Sequence, residues 1–131
     1  KPIFVVKRTD AMLDQLDAIE PMLADPGSAR PSQQPGYAAN RWRAREERKD
    51  LSVLIGICTH LGCSPKYYPE VGPQAFDGNW KGGYFCPCHG SKFDLSGRVY
   101  AGVPAPSNLE VPPYTFESDA IMLIGEDEES A

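Results

Sequence analysis

The sequence contains no apolar run of about 18 residues, the length a spanning helix needs. Nor does a basic region precede a short apolar one, so neither a transmembrane helix nor a signal peptide lies within it. Positive charge is short: 13 basic residues against 18 acidic leave a net charge of -5, the wrong sign for phosphate backbones or anionic lipid, which argues against a nucleic-acid partner. No segment of about 20 to 50 residues recurs, and no βαβ alternation marks a parallel sheet. Histidine and cysteine are scarce, with two of the first and four of the second in 131 residues.

What is present reads as one domain over residues 1–131, long enough for a sizeable core without covalent staples. "IFVVK" (3–7) is a strand. Thr9 is the N-cap of a short amphipathic helix carrying Met12, Leu13, Leu16 and Ile19 at helical spacing until Pro21 stops it. Residues 25–50 turn to Pro, Gly, Ser and Gln and then to "RWRAREERK", predicting a long surface excursion whose residues 41–49 form a solvated charged face. "LSVLIGI" (51–57) is a buried strand by its continuous apolar run. Residues 64–83 are too irregular for a helix, "GYFCP" (83–87) is a short strand, "KFDLSGRVY" (92–100) a hairpin turning at Ser96-Gly97, and "YTFESDAIMLIG" (114–125) two strands around Ser118-Asp119. The acidic "EDEES" (126–130) reads as a frayed tail. The fold class is mostly β, an antiparallel sandwich or small barrel with one short helix near the N-terminus. Trp42 and Trp80 have no role legible in the sequence.

All four cysteines and both histidines fall in "CTHLGC" (58–63) and "CPCHGS" (86–91). A thioredoxin-type pair needs C-x-x-C opening a helix, which neither piece supplies. A structural zinc site needs four ligands and leaves two thiols idle. A disulfide framework uses the cysteines and leaves the histidines without a reason. A 2Fe-2S cluster needs two protein ligands on each iron, and two histidines can replace two cysteines on one of them. Cys58 with Cys86 on an inner iron and His60 with His89 on an outer iron meet that count. Cys63 and Cys88 remain, one in each loop, and a disulfide can join them if the loops face each other.

The two pieces, together with "GICTHLGCSP", "GGYFCPCHGSKFDLSGRVYAGVPAPSNLEVPPY" and the opening "KPIFVVKRT", resemble the Rieske iron-sulfur proteins of the ubiquinol:cytochrome c oxidoreductase, or cytochrome bc, complexes over nearly the whole chain. The resemblance implies a Rieske-type antiparallel β sandwich with a cluster-binding part over residues 58–106. It implies cluster ligands Cys58, His60, Cys86 and His89 and a Cys63 to Cys88 disulfide. It further implies that His89 hydrogen-bonds ubiquinol, that Ser91 donates its hydroxyl to a bridging sulfide, and that Leu61 shields the cluster beside a docking face. The implied function is electron transfer from ubiquinol at the cytochrome b site to the cytochrome c subunit, with proton uptake by a ligand histidine, on the periplasmic side of a bacterial inner membrane. The start at Lys1 suits a piece of a longer protein whose N-terminal anchor lies before it.

Two departures stand out. "GVPAP" (102–106), matching the proline loop that covers the cluster, carries an extra Val103 relative to the commoner Gly-Pro-Ala-Pro. Phe93 occupies a position where many relatives carry a tyrosine whose hydroxyl donates to a ligand sulfur. A Rieske module serving an oxygenase is the competing reading. Such modules generally lack the Cys63 and Cys88 pair, and no histidine is left here for a mononuclear iron site.

Overall fold

The structure, a computed structural model, describes residues 1–128. Strand β1 (Ile3–Lys7) pairs antiparallel with β2 (Leu51–Ile55), Phe4 opposite Leu54 and Val6 opposite Ser52. Between them lies helix α1 (Asp10–Ile19), started by Thr9, whose Oγ1 accepts from the Met12 amide at 3.2 Å, and buried along Leu16 and Ile19. Pro21 sits in a single 3-10 turn, Glu20–Met22, that closes the helix. A second sheet holds β3 (Lys66–Tyr68), β4 (Gly83–Phe85) and β5 (Lys92–Phe93) in that order, and a third is the hairpin of β6 (Tyr114–Ser118) and β7 (Ile121–Ile124). Every pairing is antiparallel, as the residue pattern predicts.

All three sheets bury side chains in one apolar cluster: Val53 and Leu54 from β2, Tyr84 from β4, Phe93 from β5 and Tyr114 from β6, with Cys58 and Cys86 among them. Small sheets exposing one apolar face each are stable only when packed together in this way. A second cluster gathers Ile19, Leu23, Trp80 and Tyr100. Trp80 thereby acquires a role: it is fully buried, its indole N–H donates to the Tyr68 carbonyl at 3.0 Å, and Phe76 meets it edge-on at 4.9 Å.

The excursion over residues 25–50 is a correction to the sequence reading, because much of it is interior. Asp25, Ser28, Gln33, Ala38, Arg43 and Ala44 are buried. Arg43 turns inward and donates to the carbonyls of Ser96 and Gly97, at 3.2 and 3.4 Å, and to Ser28 Oγ at 2.9 Å. Burial pushes its guanidinium down to about 10, against the pull of Asp94, so it is still cationic at neutral pH. Arg8 reaches Ser96 Oγ at 2.9 Å and the Lys49 carbonyl, and Arg98 pairs with Asp94 at 2.8 Å. Three buried guanidinium groups therefore hold the turn over residues 94–98, at the base of the hairpin that carries the second cysteine-histidine loop.

The frayed tail is also corrected as far as residue 128. Tyr37 donates to Asp127 at 2.7 Å and Arg45 pairs with Glu128 at 2.8 Å while lying 3.8 Å over the Tyr37 ring. Residues 129–131 lie outside the described residues.

Candidate metal centre

The two loops are built alike. β2 runs into Cys58 and β4 runs directly into Cys86. In the first loop the Cys58 amide donates to the Cys63 carbonyl at 2.6 Å and the Gly62 amide to the Cys58 carbonyl at 3.1 Å. In the second, the Cys86 amide donates to the Ser91 carbonyl at 2.8 Å and the Gly90 amide to the Cys86 carbonyl at 2.9 Å. Gly62 and Gly90 occupy the same step of each turn, at φ 84 and 83, a left-handed conformation that side chains with a Cβ resist. Glycine four residues after the first cysteine of each loop is thus a backbone requirement. Near Gly56, a Cβ would meet the Phe4 ring at 2.8 Å, so the approach to the first loop is equally tight.

The loops face each other. Cys63 and Cys88 form a disulfide spanning 25 residues of sequence, with Cα atoms 6.5 Å apart. Cys58 and Cys86 are free thiols, each 2% exposed. The His60 and His89 rings stand edge to face with centroids 4.8 Å apart, His60 half-buried and His89 exposed. Sulfur atoms of Cys63, Cys86 and Cys88 lie within 4.8 Å of one another. Two of those three are consumed in the disulfide, so the proximity locates the clamp beside Cys86 rather than a three-cysteine site.

The chemistry of the donors fits a metal cluster. Burial pushes the Cys58 thiol up, as does neighbouring Cys86, while the backbone amide of His60 and the Ser91 hydroxyl act in the opposite sense by favouring a thiolate. A buried sulfur with donors already aimed at it needs only a cation to lose its proton. His60 Nδ1 is buried and has no hydrogen-bond partner, an arrangement that is costly unless the nitrogen is a ligand. Two thiols and two imidazoles from facing loops are residue types that could hold a 2Fe-2S cluster with mixed ligation.

The third wall is the loop over residues 102–106. The Ala105 amide donates to Ser91 Oγ at 3.0 Å, Thr59 Oγ1 donates to the Ser107 carbonyl at 2.6 Å, and Ala105 is buried in the same apolar cluster as Cys58 and Cys86. Val103, the additional residue of this loop, packs against both apolar clusters, which gives the insertion a structural use. Ser91 is 1% exposed and, having accepted from Ala105, keeps its own proton to donate toward sulfur. Leu61 projects from the first loop at 69% exposure. Thr59, the short polar residue between two ligand candidates, was overlooked by the sequence reasoning although its position offered a signal.

Two buried thiols and two imidazoles facing each other across a disulfide-clamped pair of loops define an iron-sulfur protein. The chain belongs to the Rieske [2Fe-2S] domain family, whose model matches residues 38–114. It is 51% identical over 131 residues, its whole length, to the ubiquinol-cytochrome c reductase iron-sulfur subunit of Allochromatium vinosum, covering 62% of that protein. The subunit of the same name from Bradyrhizobium diazoefficiens is 43% identical over 126 residues, 95% of this chain and 60% of the relative. The mitochondrial cytochrome b-c1 complex subunit Rieske of Bos taurus is 42% identical over 126 residues, 95% of this chain and 38% of that protein. The chain therefore spans about three fifths of its bacterial relatives. No helix among the described residues is long and apolar enough to cross a membrane.

Proposed function

We propose that the chain is the cluster-bearing part of the iron-sulfur subunit of a bacterial ubiquinol:cytochrome c oxidoreductase, taking an electron from ubiquinol at the cytochrome b site and delivering it to the cytochrome c subunit. The observation that carries this reading is the 51% identity across the entire chain to a subunit of that name, with both loops complete. In this reading Cys58 and Cys86 hold one iron, and His60 and His89 the other. When bound, the cluster supplies a one-electron acceptor whose potential, with imidazoles replacing two thiolates, lies within about -150 to +300 mV.

The residues of the chain do the rest. His89 is exposed, so its outward ring nitrogen can accept a hydrogen bond from a quinol hydroxyl and then its proton. Leu61, like Pro104 and Pro106, is exposed, and it excludes water when the face docks. Ser91 orients its hydroxyl toward the sulfurs while the Ala105 amide fixes its oxygen. The disulfide suits an oxidising space such as the periplasmic side of an inner membrane. It also weighs against the oxygenase reading, as does the absence of a histidine beyond the two at the centre.

Visible and EPR spectra of the purified chain test the ligand set, since a 2Fe-2S cluster with only thiolate ligands contradicts it. Proton coupling predicts a midpoint that is flat at low pH and falls by about 59 mV per unit once the oxidised form has lost one proton. A midpoint independent of pH over roughly pH 6 to 11 would refute histidine as the proton acceptor.

Phe93 is fully buried in the cluster of side chains that contains Cys58, opposite Tyr84 in the β4–β5 pairing. A hydroxyl there that reaches a ligand sulfur favours the more negative, reduced state, and Phe93→Tyr is expected to raise the midpoint by an amount on the order of tens of millivolts. An unchanged midpoint at neutral pH would show that Phe93 acts only in packing.

A further inference from the structure

The proline loop has few amides of its own with which to hold its place. Its contacts to Thr59 and Ser91 belong to the cysteine-histidine loops. Others, to the loop's end and to the residues that follow it, come from residues 30–33, part of the excursion that the electron-transfer function leaves unused. The Arg30 guanidinium donates to the Pro106 carbonyl. Gln33 Oε1 accepts from the Asn108 amide at 2.8 Å, and the Gln33 carbonyl accepts from the Val111 amide at 2.9 Å.

Gln33 is itself immobilised, being 4% exposed with Nε2 donating to Asp25 Oδ2 at 3.0 Å. Behind it stands Ser28. Its Oγ donates to Gln34 Oε1 at 2.5 Å and accepts from Arg43 Nε at 2.9 Å and from Asn108 Nδ2 at 3.0 Å. Ser28 has φ 52, a backbone state that a residue with a side chain holds only where its surroundings fix it. Asn108 completes the linkage, its Oδ1 accepting from the Val99 amide at 2.8 Å. A fully satisfied polar network of this kind is rigid and sets a unique geometry.

We propose that Gln33, seated on Ser28, is a positioning residue for electron transfer, setting through Asn108 and Val111 how closely the proline loop rests on Ser91, with Arg30 fastening the loop's outer edge. The effect on the centre passes through one bond. If the loop lifts, the Ala105 amide leaves Ser91 Oγ, and the hydroxyl loses its fixed orientation toward sulfur, a donor that favours the reduced state. This rests on the reading that the two loops hold the cluster.

The test uses the cluster-loaded chain and two readouts, the midpoint potential and hydrogen exchange of the Ala105 amide. Gln33→Met keeps the length of the side chain and removes its polar atoms. It is expected to lower the midpoint and to speed Ala105 exchange by about tenfold or more. Arg30→Met, an exposed change, should move both readouts less and in the same direction, and Arg30→Lys should restore both. Thr9→Ala, which removes the cap of α1, should lower thermal stability and leave both readouts at the parent values.

A Gln33→Met protein that melts earlier but keeps the parent midpoint and Ala105 exchange overturns the proposal. Should that variant not fold, the Arg30 pair decides alone, and parent-like Ala105 exchange in Arg30→Met overturns it. Recovery of the midpoint without the exchange in Arg30→Lys would assign the effect to charge and likewise count against it. A parent chain lacking the mixed-ligand EPR signal would refute the ligand assignment instead, while Ala105 exchange would still report on the loop.

Discussion

Cys63→Ser will strip the protein of its cluster before it unfolds the chain. The Cys63–Cys88 bond closes a segment of 25 residues, and loop-closure entropy for that separation is worth about 3 to 4 kcal/mol to the folded state. The β1–β2 and β6–β7 sheets and the arginine-anchored turn lie outside that segment, whereas β3 and β4 lie within it, so the loss falls on the second sheet and the two facing loops that it carries. A second effect compounds it. The thiol freed at Cys88 lies within 4.8 Å of the Cys86 sulfur and becomes a rival ligand. Cys63→Ser is therefore expected to retain less iron through gel filtration than Cys63→Ser with Cys88→Ser, and both less than the parent. Whatever cluster remains should have a lower midpoint, because loosened loops lose their fixed donors to sulfur. Iron content and midpoint equal to the parent in the single variant would sink the clamp. So would mass spectrometry finding free thiols at both positions in aerobically purified protein.

The largest stability loss is expected at Arg98. It is fully buried, as is Asp94 at 2% exposure, and the pair is joined at 2.8 Å, with Arg98 also donating to the carbonyls of Leu16 and Pro26 at 2.9 Å each. Arg98→Met leaves the buried Asp94 carboxylate with the amides of Ser96 and residue 98 as hydrogen-bond donors and with only the charges of Arg8 and Arg43 to offset its own. Removing one member of a buried pair costs about 3 to 5 kcal/mol, and the attraction between the charges is only part of that figure. Adding Asp94→Asn removes the stranded charge, so the double variant should recover much of the loss. Denaturant titration checks both. An Arg98→Met protein within about 1 kcal/mol of the parent would mean that the pair contributes little at this site.

These two expectations differ in how far the sequence reveals their basis. The loops were legible because their pattern is local: a short turn presenting a sulfur, an imidazole and a left-handed glycine must write all three within six residues. The strands were legible for a similar reason, since Ile3–Lys7 and Leu51–Ile55 carry their β-branched or continuous apolar character in themselves. The helix announced its start at Thr9 and its stop at Pro21.

Residues 25–50 misled because a charged or amide side chain looks the same in sequence whether water or a distant carbonyl satisfies it. Arg43 reads as part of a solvated run, yet its partners Ser96 and Gly97 lie 53 and 54 residues on, and only the folded chain brings them together. The same holds for Tyr37 and Asp127, 90 residues apart, which turned the start of a supposed frayed tail into a docked segment. Reading the residues alone was enough for the antiparallel β class and for the spacing of the two loops with their cysteines and histidines. The tertiary structure decided which polar residues are interior, that Ser91 accepts from Ala105, and that Gln33 and Arg30 reach the proline loop. The physical reason is range: covalent spacing and backbone propensity act over a few residues, whereas burial of a polar group is permitted only by the partners that a whole fold supplies.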